Sequence, residues 1–269
     1  PRYSGYAKFA YDSHIVVSRG YKGATDPNYT KLNKLFDSKH TSYESTKRRK
    51  QTFSFDLSDG VTVEWWMNRS AWNNATETFL ELSSSNLKLD LILSNTNNPI
   101  QLSASSTNVI STVNLGAATL LSSSVGDGSW HHYALTLANS NTNTETHLYV
   151  DGVLNNSITS HNKLSSVDEL VTGFIGSGSF GLLSASVNEF RYWNKKQTSE
   201  SIYYNYNRNI GGGATTDDYR KELGVYYRFN EGVTTTASID RIALDYSGRI
   251  SNGYWENYAA TSRQSGSSF

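Results

Sequence analysis

The chain contains no cysteine, a single methionine and three prolines, and neither sign of charge is in excess, since Lys plus Arg and Asp plus Glu both number 24. Each scarcity excludes something. Without cysteine there are no disulfides and no thiolate metal centres, so a fold stapled by bridges is ruled out. Without net charge, no field over the whole surface draws in nucleic acid or an acidic polymer. No run reaches the roughly 18 to 20 apolar residues of a membrane span, and no signal-peptide pattern is present, so membrane insertion is not expected. The chain opens at Pro1 rather than Met, which reads as processing or as a piece of something longer. What is abundant is aromatic: 18 Tyr, 10 Phe and 6 Trp stand among Gly-, Ser-, Asn- and Thr-rich connections. That composition suits half-buried sheet surfaces with polar loops, and 269 residues suffice for one all-β domain with a large core.

The periodicity agrees. Over 130–137, Tyr133, Leu135 and Leu137 alternate with His132, Ala134 and Thr136, and over 146–150 Leu148 and Val150 alternate with His147 and Tyr149. A period of two predicts strands. Asp151-Gly152 then predicts a type I′ turn, whose two central residues need positive φ. In 61–67, Val61, Val63, Trp65 and Met67 share one face and Thr62, Glu64 and Trp66 the other, so one of the paired tryptophans must leave the core that the other enters. Leu87, Leu89, Leu91 and Leu93 make a further inward row, with Lys88 and Asp90 outside, and Phe53, Phe55 and Leu57 read as another strand. Residues 3–17 alternate loosely, and 94–124 suits loops with short edge strands. Thr198 or Ser199 can cap a short helix near 198–207, with Glu200 in its first turn and Ile202 and Tyr206 on its packing side. Gly211-Gly212-Gly213 ends it.

The segments Trp130-His131-His132-Tyr133-Ala134-Leu135-Thr136 and Leu148-Tyr149-Val150-Asp151-Gly152 resemble the signature of the laminin G-like, or concanavalin A-like lectin/glucanase, superfamily. Residues 61–67, 174–177 and 187–193 resemble its other strands, in the right order. The resemblance implies an all-β fold: a two-sheet antiparallel sandwich of jelly-roll type with one short helix. On this reading 1–50 is an amino-terminal arm and polar loop, 51–210 the sandwich, and 211–222 a Gly-rich linker. Residues 223–232 and 244–253 resemble the opening strands of such a domain, so 223–269 reads as a carboxy-terminal arm or the start of a second repeat. Openers of this wording are similar to those in large virion proteins of marine tailed bacteriophages.

Such folds host lectins, adhesion modules and glycosidases, so the residues must decide. Retaining glucanases need two carboxylates about 5 Å apart on one strand face, and no Glu-x-Asp-x-Glu triplet occurs. Glu64 stands alone and Glu189 alternates with Arg191, which reads as a surface ion pair. His131 and His132 face opposite sides of a strand and cannot share a metal; His147 on a neighbouring strand could lie across from one of them. A calcium ion, as the resemblance implies for many members, would take Asp127, Asp151 and Asn155 as loop donors, although turns account for both Asp-Gly pairs and are preferred. Sugar binding needs an aromatic platform beside amides or carboxylates, and the candidates are Glu64 with Trp66, Trp72 with Asn73 and Asn74, and Trp193 with Asn194. Asn-x-Ser/Thr triplets at Asn68, Asn74 and Asn155 carry little weight without a secretory signal. The basic run 47–50 reads as a solvated loop.

The expected function is non-catalytic and needs no cofactor: a lectin-like module of a virion, surface- or tail-associated, that holds neighbouring subunits in an oligomer and binds host surface polysaccharide. A carbohydrate-binding adhesion module of a bacterial surface protein and a degenerate glycosidase are the alternatives.

Overall fold

The computed structural model describes residues 5–10, 13–18, 55–84, 87–105, 110–160, 162–164, 172–210, 222–234, 236–247 and 252–266. The basic run 47–50, the rest of the polar stretch 19–54 and the Gly-rich segment 211–221 lie outside these.

Among the described residues the chain forms two antiparallel sheets. The first contains β1 (Gly5–Phe9), β3 (Val61–Asn68), β8 (Trp130–Asn139), β9 (Thr144–Val150), β10 (Val153–Ser160), β12 (Ala185–Trp193), β13 (Leu223–Tyr227) and β16 (Arg263–Ser265). Its order is β10-β9-β8-β3-β12-β1-β16, with β13 also on β12. The second contains β2 (His14–Ser18), β4 (Thr76–Ser83), β5 (Lys88–Ser94), β6 (Ile100–Ser105), β7 (Ile110–Asn114), β11 (Thr172–Ile175), β14 (Ile242–Ala243) and β15 (Gly253–Glu256), in the order β14-β15-β2-β11-β4-β5-β6-β7.

The two layers meet through the rows that alternation places inward. Trp65 is fully buried, stacks on Tyr133 of its own sheet at 5.5 Å and on Phe79 of the other sheet at 4.5 Å. Such pairs add about 0.5–1.5 kcal/mol to the burial of their area. Leu89, Leu91 and Leu93 answer from the second sheet. The β9–β10 turn follows from its residues, since Asp151 and Gly152 both have positive φ, at 49° and 79°.

In β12, Asn188 pairs with Trp66 and Arg191 with Glu64, so three steps on one strand match two on the other. The extra residue is Glu189, at a φ of 50°. This β-bulge keeps Val187 on the core side together with Phe190 and Tyr192. The stretch 223–269 contributes β13 to β16, which pair with β12, β2 and β1. Its Trp255 is buried between Phe9 and Phe229, so the strands nearest both ends share the core of the middle. Of the expected strand through Phe53, Phe55 and Leu57, Phe55 is a bridge residue and Leu57 lies in a turn, while Phe53 lies outside the described residues.

Candidate functional site

The outer face of the first sheet carries most of the sequence-derived sugar candidates, and it is covered. The helix Ser199–Asn205 starts at Thr198, whose side chain accepts from the Ser201 amide, and carries Glu200 in its first turn. Its Ile202 packs on Ala134 and Tyr149. Tyr206 stacks on Trp66, whose Nε1–H donates to the Tyr206 carbonyl at 2.9 Å. Trp66 is therefore only 6% exposed, and Glu64 beside it 1%. Trp193 is sealed against Leu223 and Tyr226, and Asn194 is equally buried, its amide donating to the Glu222 carbonyl. Glu64, Trp66, Trp193 and Asn194 thus present no platform to a ligand, because the helix and β13 lie where alternation alone suggested solvent.

The same cover converts the expected surface ion pair into a buried one. Arg191 reaches Glu64 at 3.3 Å and Glu189 at 3.0 Å, and donates to the carbonyls of Asn205, the last helical residue, and of Arg208 beyond it. Tyr226 completes the cluster by donating to Glu189. Burial pushes the Glu64 carboxyl up, but His132 and Arg191 outweigh it and hold the group below its ordinary value. Burial wins at His132, whose pKa is lowered despite Glu64 at 3.5 Å. His147 pairs across the strands with Thr136 and meets neither His131 nor His132.

At the sheet rim, His131 sits between two carboxylates. Its Nδ1 is 2.8 Å from Asp151 and its Nε2 3.1 Å from Asp127. The remaining oxygens of the two acids accept backbone N–H groups, from His132 at 2.8 Å and Ser129 at 2.7 Å. Asn155, the third proposed calcium donor, has its carbonyl oxygen on the Ala117 amide. As arranged, these groups do not suit calcium: every oxygen of the two carboxylates faces a nitrogen, and Asn155 is engaged elsewhere. Burial lowers the His131 pKa and the bonds to Asp151 and Asp127 raise it, with a net value above the ordinary one.

Among the described residues, a cavity of about 670 Å³ opens at one end of the sandwich. Three segments wall it: the end of β1 with Lys8, the β3–β4 connection with Asn68, Ser70, Asn73 and Asn74, and the β11–β12 connection running into Ser184 and Ser186. The connections are tied together beneath the floor. Arg69 donates to both oxygens of Glu77 at 2.8 and 2.7 Å, and the Ser184 amide donates to Glu77 Oε2 at 2.9 Å. Trp72 is half-buried, with the Arg69 guanidinium 3.9 Å from its ring and its Nε1–H on the Ser122 carbonyl, so it supports the wall. Asn73 donates to Ser184 Oγ at 2.6 Å, across the cavity. Of the three sugar-site groupings, only Trp72-Asn73-Asn74 reaches an open space.

A second cluster was not anticipated as a unit. Across the outer face of the second sheet, strand register places Tyr254, Val16, Phe174, Glu81, Asp90 and Ser103 in one row. Glu81 and Asp90 are direct cross-strand partners, only 8% and 4% exposed. The β11–β12 connection covers them, with the Ser179 amide on Glu81 at 3.0 Å, and Lys88 reaches Glu81 at 3.0 Å. Burial and then the Glu81 charge raise the Asp90 pKa to about 6. Alternation marks each acid as outward, but their pairing depends on the bulge between Thr78 and Leu80, which sequence does not announce.

Stacked antiparallel sheets with ligand-accessible loops at one end define a lectin-type β-sandwich. The chain belongs to the concanavalin A-like lectin/glucanases superfamily, whose Laminin_G_3 model matches residues 39–203. Among solved structures, a protein from Bacteroides ovatus assigned as carbohydrate binding is similar over 98% of this chain at 14% identity, with a TM-score of 0.56. The chain spans 60% of that protein's solved length. A native heptameric SAP-like pentraxin from Limulus polyphemus is similar over 76% of this chain and 82% of its own, at 11% identity and a TM-score of 0.45. Domain 4 of an extracellular arabinanase from Geobacillus stearothermophilus, in complex with arabinotriose, is similar over 55% of this chain and 66% of its own, at 17% identity and a TM-score of 0.41. At these identities the likeness is one of fold. A comparison with curated proteins finds no match.

Proposed function

We propose that this chain is a non-catalytic, lectin-like module that binds a polysaccharide in the cavity walled by Lys8, Asn73, Asn74 and Ser184. The observation that carries the reading is the cavity itself: amides and hydroxyls converge on a space of about 670 Å³ held open by the buried Arg69–Glu77 pair. Pockets of this size with a few fixed polar groups are the usual form of a small-ligand site. The similar Bacteroides ovatus protein, assigned as carbohydrate binding, supports the sugar reading at the level of fold. The placement of the acids supports the non-catalytic reading. Glu64 and Glu189 are buried beneath the helix and β13 and paired with Arg191, Glu77 is locked to Arg69, and Glu81 and Asp90 lie directly opposite each other under a loop. No two of these stand open across a cleft as glycoside hydrolysis requires.

The same proposal places the module in a virion, where it holds neighbouring subunits and meets host surface polysaccharide. Its support is the resemblance of residues 223–253 to the openers of tailed-phage virion proteins. A glycan array probed with the purified chain, with and without calcium, tests the function. Binding that is indifferent to calcium and weakened by Asn74→Ala is expected. Binding unaffected by that substitution overturns the site, and cleavage of any bound oligosaccharide overturns the non-catalytic reading.

A further inference from the structure

The charges around the cavity go further than its shape. Among the described residues that line it, none is Asp or Glu, and two are cationic. Arg69 is spent: its guanidinium is fully buried, bonded at two points to Glu77, and turned away from a ligand. Lys8 differs. It lies on β1 opposite Ser186 of β12, its side chain is exposed, and no acid on a neighbouring described element pairs with it. The exposed acids Asp127 and Asp151 are engaged with the His131 ring. The other lining groups, Ser70, Asn73, Asn74 and Ser184, are neutral hydrogen-bonding side chains, and the one aromatic residue, Phe9, is only 1% exposed. A neutral pyranose is held best by an open aromatic face with a carboxylate to accept its hydroxyls. Among its described lining residues this cavity offers neither, and it supplies instead one cation, Lys8, with no acid of the lining beside it.

We infer that the cavity selects an anionic sugar unit, whose carboxylate or sulfate pairs with the Lys8 ammonium while Asn73, Asn74 and Ser184 bond its hydroxyls. This rests on the carbohydrate-binding reading above and adds the ligand's charge. The ammonium is a compact point charge on a flexible stem, suited to either anion rather than to one fixed two-point geometry. The attraction is charge-assisted and part-exposed, so it weakens as salt rises.

Calorimetric titration with three probes tests the inference: oligogalacturonate, the matching neutral galacto-oligosaccharide, and a sulfated galactan oligomer. Wild-type chain and Lys8→Gln are compared at low and at physiological salt, with thermal unfolding to establish that the exposed substitution leaves the fold intact. At least one anionic probe is expected to bind about tenfold more tightly than the neutral one, with the preference lost in Lys8→Gln and reduced by salt. Which anionic probe binds distinguishes carboxylate from sulfate. Equal affinity for neutral and anionic probes, or a preference that survives Lys8→Gln, overturns the inference while leaving carbohydrate binding in place. Binding of none of the three, together with a blank glycan array, overturns the underlying reading instead.

Discussion

Arg69 and Glu77 face each other across the β3–β4 connection in a two-point ion pair with neither side chain exposed to solvent. The Ser184 amide shares the same carboxylate, so one buried pair fixes the spacing between two of the cavity's three walls. Removing one member strands the other charge away from water, which costs about 3–5 kcal/mol, whereas replacing both with apolar groups of similar volume costs far less. Arg69→Met and Glu77→Leu are therefore each expected to lower stability sharply in urea unfolding, and the double variant to recover most of it. Ligand binding is not expected to recover, since the Ser184 wall loses its anchor.

Asp90 makes a prediction with a definite sign. Its folded pKa of about 6 stands above its ordinary 3.8, so between these values the folded chain binds more protons than the unfolded one. Stability is then highest at low pH from this group and falls as pH rises through about 6. Asp90→Asn, which keeps the shape without the charge, is expected to raise stability at pH 7 by roughly 1–2 kcal/mol and to flatten the fall. Urea midpoints measured from pH 4 to pH 8 check it, and a loss of stability at pH 7 would argue that Asp90 is ionised and paired.

His131 acts in the same direction at higher pH. Its folded pKa is raised above 6.5 by the two flanking acids, so its contribution is complete below that value and is lost as pH climbs through the folded one. Asp127 and Asp151 are more than a third exposed, and the pairing is worth no more than about 1 kcal/mol. Proton NMR of the imidazole is expected to show the pKa drop in Asp151→Asn and, by a smaller step, in Asp127→Asn.

Gly152 closes the β9–β10 turn at a φ of 79°, and a methyl there would approach Tyr206 to 2.8 Å. Gly152→Ala is strained by its backbone and also pushes on the ring that shields Trp66. A loss of about 1–3 kcal/mol is expected, with a red shift in tryptophan emission as Trp66 gains water. Tyr206→Ala is expected to give the emission shift without the backbone strain.

Residues whose fate is set by near neighbours were readable. The Asp151-Gly152 turn, the division of Trp65 from Trp66, the inward leucines of β5 and the Thr198 cap all follow from alternation or from a short-range hydrogen bond. What alternation could not reveal was the third layer. Trp66 and Glu64 do leave the core, but they meet a helix from 140 residues further on and become buried in their turn. The pairing of Glu81 with Asp90 escaped for a related reason, because a single bulge residue decides which outward side chains stand opposite. The Trp72-Asn73-Asn74 grouping is expected as a ring platform beside amides, but the indole faces Arg69 and only the asparagines edge the cavity.

The antiparallel pairing of β1 with β16 sets Gly5 opposite Ser265, so the two ends of the described sandwich leave by the same edge. Tension applied through the flanking chain would therefore peel these short strands apart rung by rung, rather than shear the stacked layers all at once. Under load the margin would yield early, while the Trp65–Phe79 stack between the layers stayed whole.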